Sequence, residues 1–279
     1  DLIRPELLRA GLHAIAEQKN GWFESAGLPP FDAAATYDEL LAAGERLRPG
    51  ICDTGNLLRR AHRDGKRILI EGAQGCQLDV EHGTYPFVTS SHASAGGAYS
   101  GTGLPPHEMR TIGIVKAYAT RVGEGPFPTE LHDEVGDQLR AAGNEFGSTT
   151  GRPRRCGWLD AVALRRMVSL NGVTGFCVTK LDVMDGFEEI KICTKYRLHG
   201  ELLDAPPLDS RAWADLEPVY ESFPGWHEPT RGVTRMEDLP ENARLYLKAM
   251  EELCGAPVHM VSTGPDRNEN IIIRYPFDV

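Results

Sequence analysis

Four short segments carry side chains whose types and spacing could do chemistry. Thr179-Lys180-Leu181-Asp182 follows a short apolar run. Guanine presents two donors side by side, N1–H and the exocyclic amine, and one fixed carboxylate accepts from both. Asp182 suits that task, and the Lys180 stem can lie along a base plane. A surface Lys–Asp pair after a strand is the competing reading. Ser262-Thr263-Gly264-Pro265 either closes over a base or ribose through backbone groups or is an ordinary type I or II turn. The loop Gly147-Ser148-Thr149-Thr150-Gly151-Arg152-Pro153-Arg154-Arg155 concentrates arginines, glycines and hydroxyls. Guanidinium groups bind carboxylates bidentately and Gly-rich turns add N–H donors, so this is an anion receptor or a solvated basic loop. Finally, Glu71-Gly72-Ala73-Gln74-Gly75 lacks the Lys-Ser/Thr of a phosphate-binding Walker loop. Gln74 both donates and accepts, which suits a purine edge and equally suits bracing a loop.

These segments need elements to hold them. Up to about Gly65 the chain reads as helices: one opened by Pro5, one over Tyr37–Leu47 and one through Leu57, Leu58 and Ala61. Arg67–Ile70 is an apolar run that predicts a buried strand delivering the Gln74 loop. Ile112–Tyr118, Phe176–Val178 and Val258–Val261 read as further strands, each running into a loop. Between them, Asp160 caps a helix closed by Asn171-Gly172, and Pro240 opens one followed by Gly255. Alternation at Ile190, Ile192, Thr194 and Tyr196 predicts an antiparallel hairpin strand. Strand-then-loop with intervening helices predicts an α/β fold: an open, mostly parallel sheet flanked by helices, with additional antiparallel hairpin strands. The division is a helical region over 1–65 and an α/β nucleotide- and substrate-binding region over 66–279. The small, polar stretch Thr89–Gly97 reads as a ligand-facing loop.

Composition narrows the function classes. The 279 residues carry 30 Lys+Arg against 40 Asp+Glu, a formal charge of -10. That acidic surface disfavours a phosphate backbone, so nucleic acid is not an expected partner, and no apolar run approaches a membrane span. Six cysteines lack CxxC spacing and nine histidines lack ligand spacing, so neither a disulfide framework nor a metal site in this chain is expected. Reduced, mostly buried thiols in a cytoplasmic protein are the expectation.

Further segments join the four in a fixed order: His82-Gly83-Thr84-Tyr85-Pro86, Thr89-Ser90-Ser91, Thr120-Arg121-Val122-Gly123, Gly125-Pro126-Phe127-Pro128-Thr129-Glu130, Asn144-Glu145-Phe146-Gly147, Gly157-Trp158-Leu159-Asp160 and Pro224-Gly225-Trp226. From about Glu71 to the C-terminus the ordered set resembles the adenylosuccinate synthetases. The resemblance implies a P-loop-NTPase-like fold. It also implies a cytoplasmic, homodimeric, GTP-dependent ligase of AMP biosynthesis, which joins L-aspartate to IMP with Mg²⁺ as cofactor. The 6-oxygen of IMP is phosphorylated by GTP, then displaced as phosphate by the aspartate amine. By motif, Gln74 contacts the IMP base and is the one catalytic residue expected here. Thr89 holds the 5′-phosphate, Val122 lines the IMP pocket, and Arg152 approaches the ribose. Ser148, Thr149, Thr150, Arg152 and Arg154 bind aspartate. Arg154, Lys180, Asp182, Ser262, Thr263, Gly264 and Pro265 bind GTP.

Departures from the family pattern accompany the match. The Gly-Asp-Glu-Gly-Lys-Gly loop, with the family's catalytic Asp and a metal ligand, does not occur in these residues, nor does its early catalytic His. The chain opens on Asp1 in a helical pattern and so reads as one entered partway. The expectation is a C-terminal part inactive alone, with Mg²⁺ held mainly by residues outside it. The alternative is a non-catalytic guanine-nucleotide-binding or interaction module derived from the same family. Locally, His92-Ala93-Ser94 and Pro153 differ from the usual residues, and Pro153 removes an N–H from the arginine loop.

Overall fold

Capping residues and apolar spacing set the first helices. The computed structural model describes residues 1–147 and 151–275, and its contacts divide the chain into Asp1–Ile68 and Leu69–Val279. In the first unit, α1 (Pro5–Ser25) begins at Pro5, whose missing N–H would have had no helical partner, and it buries Leu8 and Leu12. Helix α2 (Ala33–Leu47) starts earlier than its apolar pattern suggests, because Asp32 caps it by accepting from the N–H groups of Ala34 and Ala35. Gly44 lets the chain approach closely, since a Cβ there would strike the Leu2 carbonyl. Asp53 caps α3 (Thr54–Arg63).

In the second unit, α4 (Gly97–Thr102) is followed by β1 (Thr111–Lys116), β2 (Ala119–Arg121), α5 (Glu134–Ala142), β3 (Arg155–Gly157), β4 (Leu159–Asp160), α6 (Ala161–Asn171), β5 (Val173–Thr179), β6 (Glu189–Leu198), β7 (Glu201–Leu203), β8 (Glu217–Pro224), α7 (Glu241–Cys254), β9 (Val258–Ser262) and β10 (Asn270–Ile272). One sheet has the order β1-β5-β9-β10. Its first three strands are parallel, and β10 returns antiparallel to β9. In a second sheet, β6 pairs parallel with β4 and antiparallel with β7 and β8. Strands β2 and β3 form an antiparallel ribbon. The expected mostly parallel sheet with antiparallel additions is therefore present.

The sequence signals bound α6 and α7 well. Asp160 accepts from Ala163 N–H at 3.0 Å, and Gly172 ends α6 in the left-handed conformation. Gly255 does the same for α7. The main core joins Phe176, Val178 and Val261 of the parallel sheet to Tyr246, Leu247 and Met250 of α7, with Trp226 and Leu139 closing it.

One expected element does not form. Arg67–Ile70 is irregular, and Leu69 is 80% exposed. A strand is held by a ladder to a neighbour, and no strand among the described residues pairs with this run. The stretch before Thr89–Gly97 holds a short helical turn over Cys76–Leu78 and no strand. That loop runs instead into α4, which composition did not signal. Of the six thiols, Cys156, Cys193 and Cys254 are buried, Cys76 and Cys177 partly so, and Cys52 is exposed.

Candidate functional site

Parallel pairing brings two loops to one edge. Lys116 ends β1 opposite Thr179, which ends β5. Lys180 then adopts φ +60, breaking the strand and starting a single turn over Leu181–Met184. Beneath this edge lies Glu145, whose side chain is fully buried. Its Oε1 accepts from Lys116 Nζ at 2.7 Å and from the Tyr118 hydroxyl at 2.5 Å. Its Oε2 accepts from Arg154 at 2.7 Å, and Lys180 Nζ lies 3.5 Å from Oε1. Burial alone would raise the Glu145 pKa, but hydrogen bonds from Lys116, Tyr118 and Arg154 prevail and lower it to about 2. A depressed carboxylate pKa stabilises the fold above the ordinary carboxylate range, and that contribution is lost as pH falls towards about 2. Burial, with the Arg154 and Lys180 charges, lowers the Lys116 pKa despite Glu145. Three cations thus share one carboxylate, in a chain that is otherwise strongly acidic.

Asp182 sits beside this cluster, and burial pushes its carboxyl pKa up. Neighbouring Asp185 is fully engaged, accepting from Trp226 Nε1 and from the Thr230 N–H and hydroxyl. Asp182 accepts from its own backbone N–H and receives no such side-chain donor among the described residues. Because β9 runs parallel to β5, Ser262–Pro265 emerges at the same edge. The Ser262 hydroxyl donates to Gly264 O at 2.9 Å and the Thr263 hydroxyl to Val233 O at 2.8 Å. A Cβ on Gly264 would collide with the Glu269 carboxylate. This loop spends its hydroxyls internally, and Thr263 is also tied through its backbone, its N–H donating to Glu269 O and its carbonyl accepting from Gly232 N–H.

A second group of loops is tied together by Arg121, which is 8% exposed. Its guanidinium donates to Glu124 O, Pro126 O, Thr84 Oγ1 and Phe87 O. The bonds bind the segment leading to Thr89 to the segment following Val122. Buried Asp79 orders the same region by accepting from the N–H groups of Glu81, His82 and Ser94. Burial opposes its ionisation, but those N–H groups prevail and hold the carboxyl far below its ordinary range. The Thr89 hydroxyl lies exposed, 3.3 Å from Ser91 Oγ, and Val122 is half exposed. Gln74 is exposed at φ +62, beside Gly75 at φ +116. Such paired left-handed positions fit a sharp loop rather than the end of a regular strand.

The arginine segment is a hairpin stem. Gly147 N–H donates to Arg152 O, and Arg154 N–H to Glu145 O. Arg152 is exposed. Ser148, Thr149 and Thr150 lie outside the described residues. Adjacent residues on an extended stem face opposite ways, and here the division is clear. Arg154 reaches Glu145, whereas Arg155 pairs with both carboxylate oxygens of Glu130 and donates to Gly123 O and Gly125 O. The stem therefore links the Lys180–Asp182 edge on one side to the Val122 loop on the other. Lys116 and Asp79 lie outside the sequence motifs, and Arg121 and Glu145 lie within them without an assigned role. Asp79 between Leu78 and Val80, and Lys116 between Val115 and Ala117, carried the signal of a charged residue against apolar neighbours, which Arg121 and Glu145 lack. Among the described residues, no group of three or more His, Cys, Asp or Glu gathers to hold a metal ion. None is therefore assigned to Mg²⁺.

Known proteins are similar to this chain in sequence and fold. The adenylosuccinate synthetase family model matches residues 1–271. An adenylosuccinate synthetase of Xanthomonas euvesicatoria pv. vesicatoria is 53% identical over 252 residues, covering 90% of this chain and 59% of that protein. One of Actinobacillus pleuropneumoniae serotype 7 is 53% identical over 250 residues, 89% of this chain and 58% of that protein. The solved, fully ligated adenylosuccinate synthetase of Plasmodium falciparum superposes with a TM-score of 0.90 at 36% identity, covering 98% of this chain and 65% of that one. The chain thus spans a little under three fifths of the length of these curated relatives. With fold, motif order and family match in agreement, the chain belongs to the adenylosuccinate synthetase family.

Proposed function

We propose that these residues form the base-reading and aspartate-gripping part of a GTP-dependent C–N ligase that joins L-aspartate to IMP. The supporting observation is the arginine stem, with Arg154 turned to the Lys180–Asp182 edge and Arg155 to the Val122 loop. That geometry suits two nucleotides lying on either side of one amino-acid substrate. Asp182 accepts the two guanine donors, the Lys180 stem flanks the base, and Ser262–Pro265 closes on the same nucleotide through its backbone. Arg154 completes the GTP contacts. Gln74 meets the purine edge of IMP and steadies charge on the 6-oxygen. Thr89 holds the 5′-phosphate, and Val122 lines the pocket. Ser148, Thr149 and Thr150, with Arg152 and Arg154, hold the aspartate carboxylates, and Arg152 also approaches the ribose.

A purine 6-oxygen leaves poorly as hydroxide. Loss of the N1 proton to a base places charge on that oxygen, and transfer of the GTP γ-phosphoryl group to it leaves GDP and a good leaving group. The aspartate amine then attacks carbon 6, phosphate departs with the former 6-oxygen, and the amine loses a proton to give adenylosuccinate. Most of the rate enhancement in such a scheme comes from positioning and charge stabilisation. Mg²⁺ supplies charge neutralisation on the phosphates when bound. The working protein is a cytoplasmic homodimer.

The test compares these 279 residues with a polypeptide of the relatives' full length that contains them. The longer protein is expected to form adenylosuccinate from GTP, IMP, aspartate and Mg²⁺. The 279 residues alone are expected to form none, because the family's phosphate loop does not occur in them. Failure of the longer protein would refute the reading, and turnover by the shorter one would refute the division of labour.

A further inference from the structure

Lys180 and Arg154 arrive from different elements, and like charges at one edge repel. The structure gathers both around the Glu145 carboxylate. Asn144, at φ +46, turns the chain after α5 and aims Glu145 inward. Lys180 Nζ donates to the carbonyl of Gly143, the residue closing α5, while lying 3.5 Å from Glu145. A helix C-terminus is a partial negative charge and suits an ammonium group. Arg154 is joined to Glu145 twice, side chain to side chain and N–H to carbonyl at 2.9 Å. Lys116 and Tyr118 fix the remaining freedom of the carboxylate. A pair built only for stability would be balanced. This one leaves surplus positive charge on side chains still partly exposed, at 24% for Lys116, 28% for Arg154 and 35% for Lys180.

We propose that Glu145 is a positioning residue that sets Arg154 and Lys180 in one relation, so that a single buried carboxylate aligns the aspartate-gripping stem with the guanine-reading loop. The proposal rests on the function argued above. It assigns Glu145 no contact with substrate. Its effect is to keep two cations from splaying apart, so that each nucleotide or carboxylate contact finds its donor in place. Preorganised donors bind more tightly because less ordering remains to be done on binding.

The experiment uses Glu145→Gln and Glu145→Asp in the full-length polypeptide, measuring KM for GTP and for aspartate, kcat, the GTP-to-XTP efficiency ratio and Tm. Glu145→Gln removes the charge that both cations share. Both KM values are expected to rise at least about tenfold together, as when one partner of a buried charge pair is lost. The GTP-to-XTP ratio is expected to stay unchanged, because Asp182 is intact. Glu145→Asp keeps the charge on a shorter stem and should recover part of both. If Glu145→Gln does not fold, the two KM values of Glu145→Asp decide. A fall in Tm with both KM values unchanged, or a rise in only one of them, would overturn the proposal. If Asp182→Asn fails to alter the GTP-to-XTP ratio, the underlying functional reading falls, and that result is distinct from a failure at Glu145.

Discussion

Arg152→Leu is expected to lower kcat/KM for aspartate at least tens-fold at saturating GTP and IMP, while GTP use changes far less. Aspartate brings two carboxylates and must keep its amine free to attack. Arginine grips a carboxylate through two parallel hydrogen bonds, whereas lysine presents one compact charge. Losing one member of such a pair costs on the order of 2–5 kcal/mol, so Arg152→Lys should recover only part of the activity. Arg154→Leu is expected to be as severe for aspartate, and it should also weaken GTP, because Arg154 shares Glu145 with Lys180. Arg155→Leu supplies the contrast. Its guanidinium is committed to Glu130 and to two backbone carbonyls, so its loss should lower Tm with a much smaller effect on aspartate use. Equally mild effects of Arg152→Leu and Arg155→Leu on aspartate kcat/KM would make the loop a solvated basic turn.

The second large effect concerns base choice. Asp182→Asn exchanges an all-acceptor carboxylate for an amide that also donates. Guanine offers donors at N1 and the 2-amino group, whereas xanthine carries an accepting oxygen at that second position. GTP efficiency should fall roughly ten- to a hundred-fold, since hydrogen bonds to a charged group contribute about 1.5–3 kcal/mol, and XTP should gain relative to it. The structure sharpens this expectation. Asp182 is already drawn partly out of water, and besides its own backbone N–H no side-chain donor among the described residues competes with the ligand's donors. An unchanged ratio of GTP to XTP efficiency would remove Asp182 from the role of base reader.

Local chemistry made α6 and α7 legible, because Asp160, Gly172 and Gly255 act within one helical turn of themselves. The parallel strands were legible as apolar runs ending in glycine, hydroxyl or charged loops. Arg67–Ile70 shows where that signal stops. An apolar run states that a segment avoids water, but not which strand lies beside it. The same gap hid Glu145. Its meaning comes from Lys116, Tyr118, Arg154 and Lys180, which only the β1–β5 pairing and the arginine stem bring together. Arg121 was hidden likewise, since its partners Thr84 and Phe87 are remote in sequence. Motif order identified the family and proposed roles for Lys180 and Asp182. It did not reveal that Lys180 is held from behind by a helix end and a buried carboxylate.

In the proposed reaction the purine 6-oxygen leaves as one oxygen of the released phosphate. The direct measurement supplies the full-length polypeptide with GTP, aspartate, Mg²⁺ and IMP carrying a heavy-oxygen label at the 6-position, then weighs the inorganic phosphate by mass spectrometry. One labelled oxygen in each phosphate released, matched to each adenylosuccinate formed, is the expected result. Unlabelled phosphate, with the label recovered in water, would contradict the account.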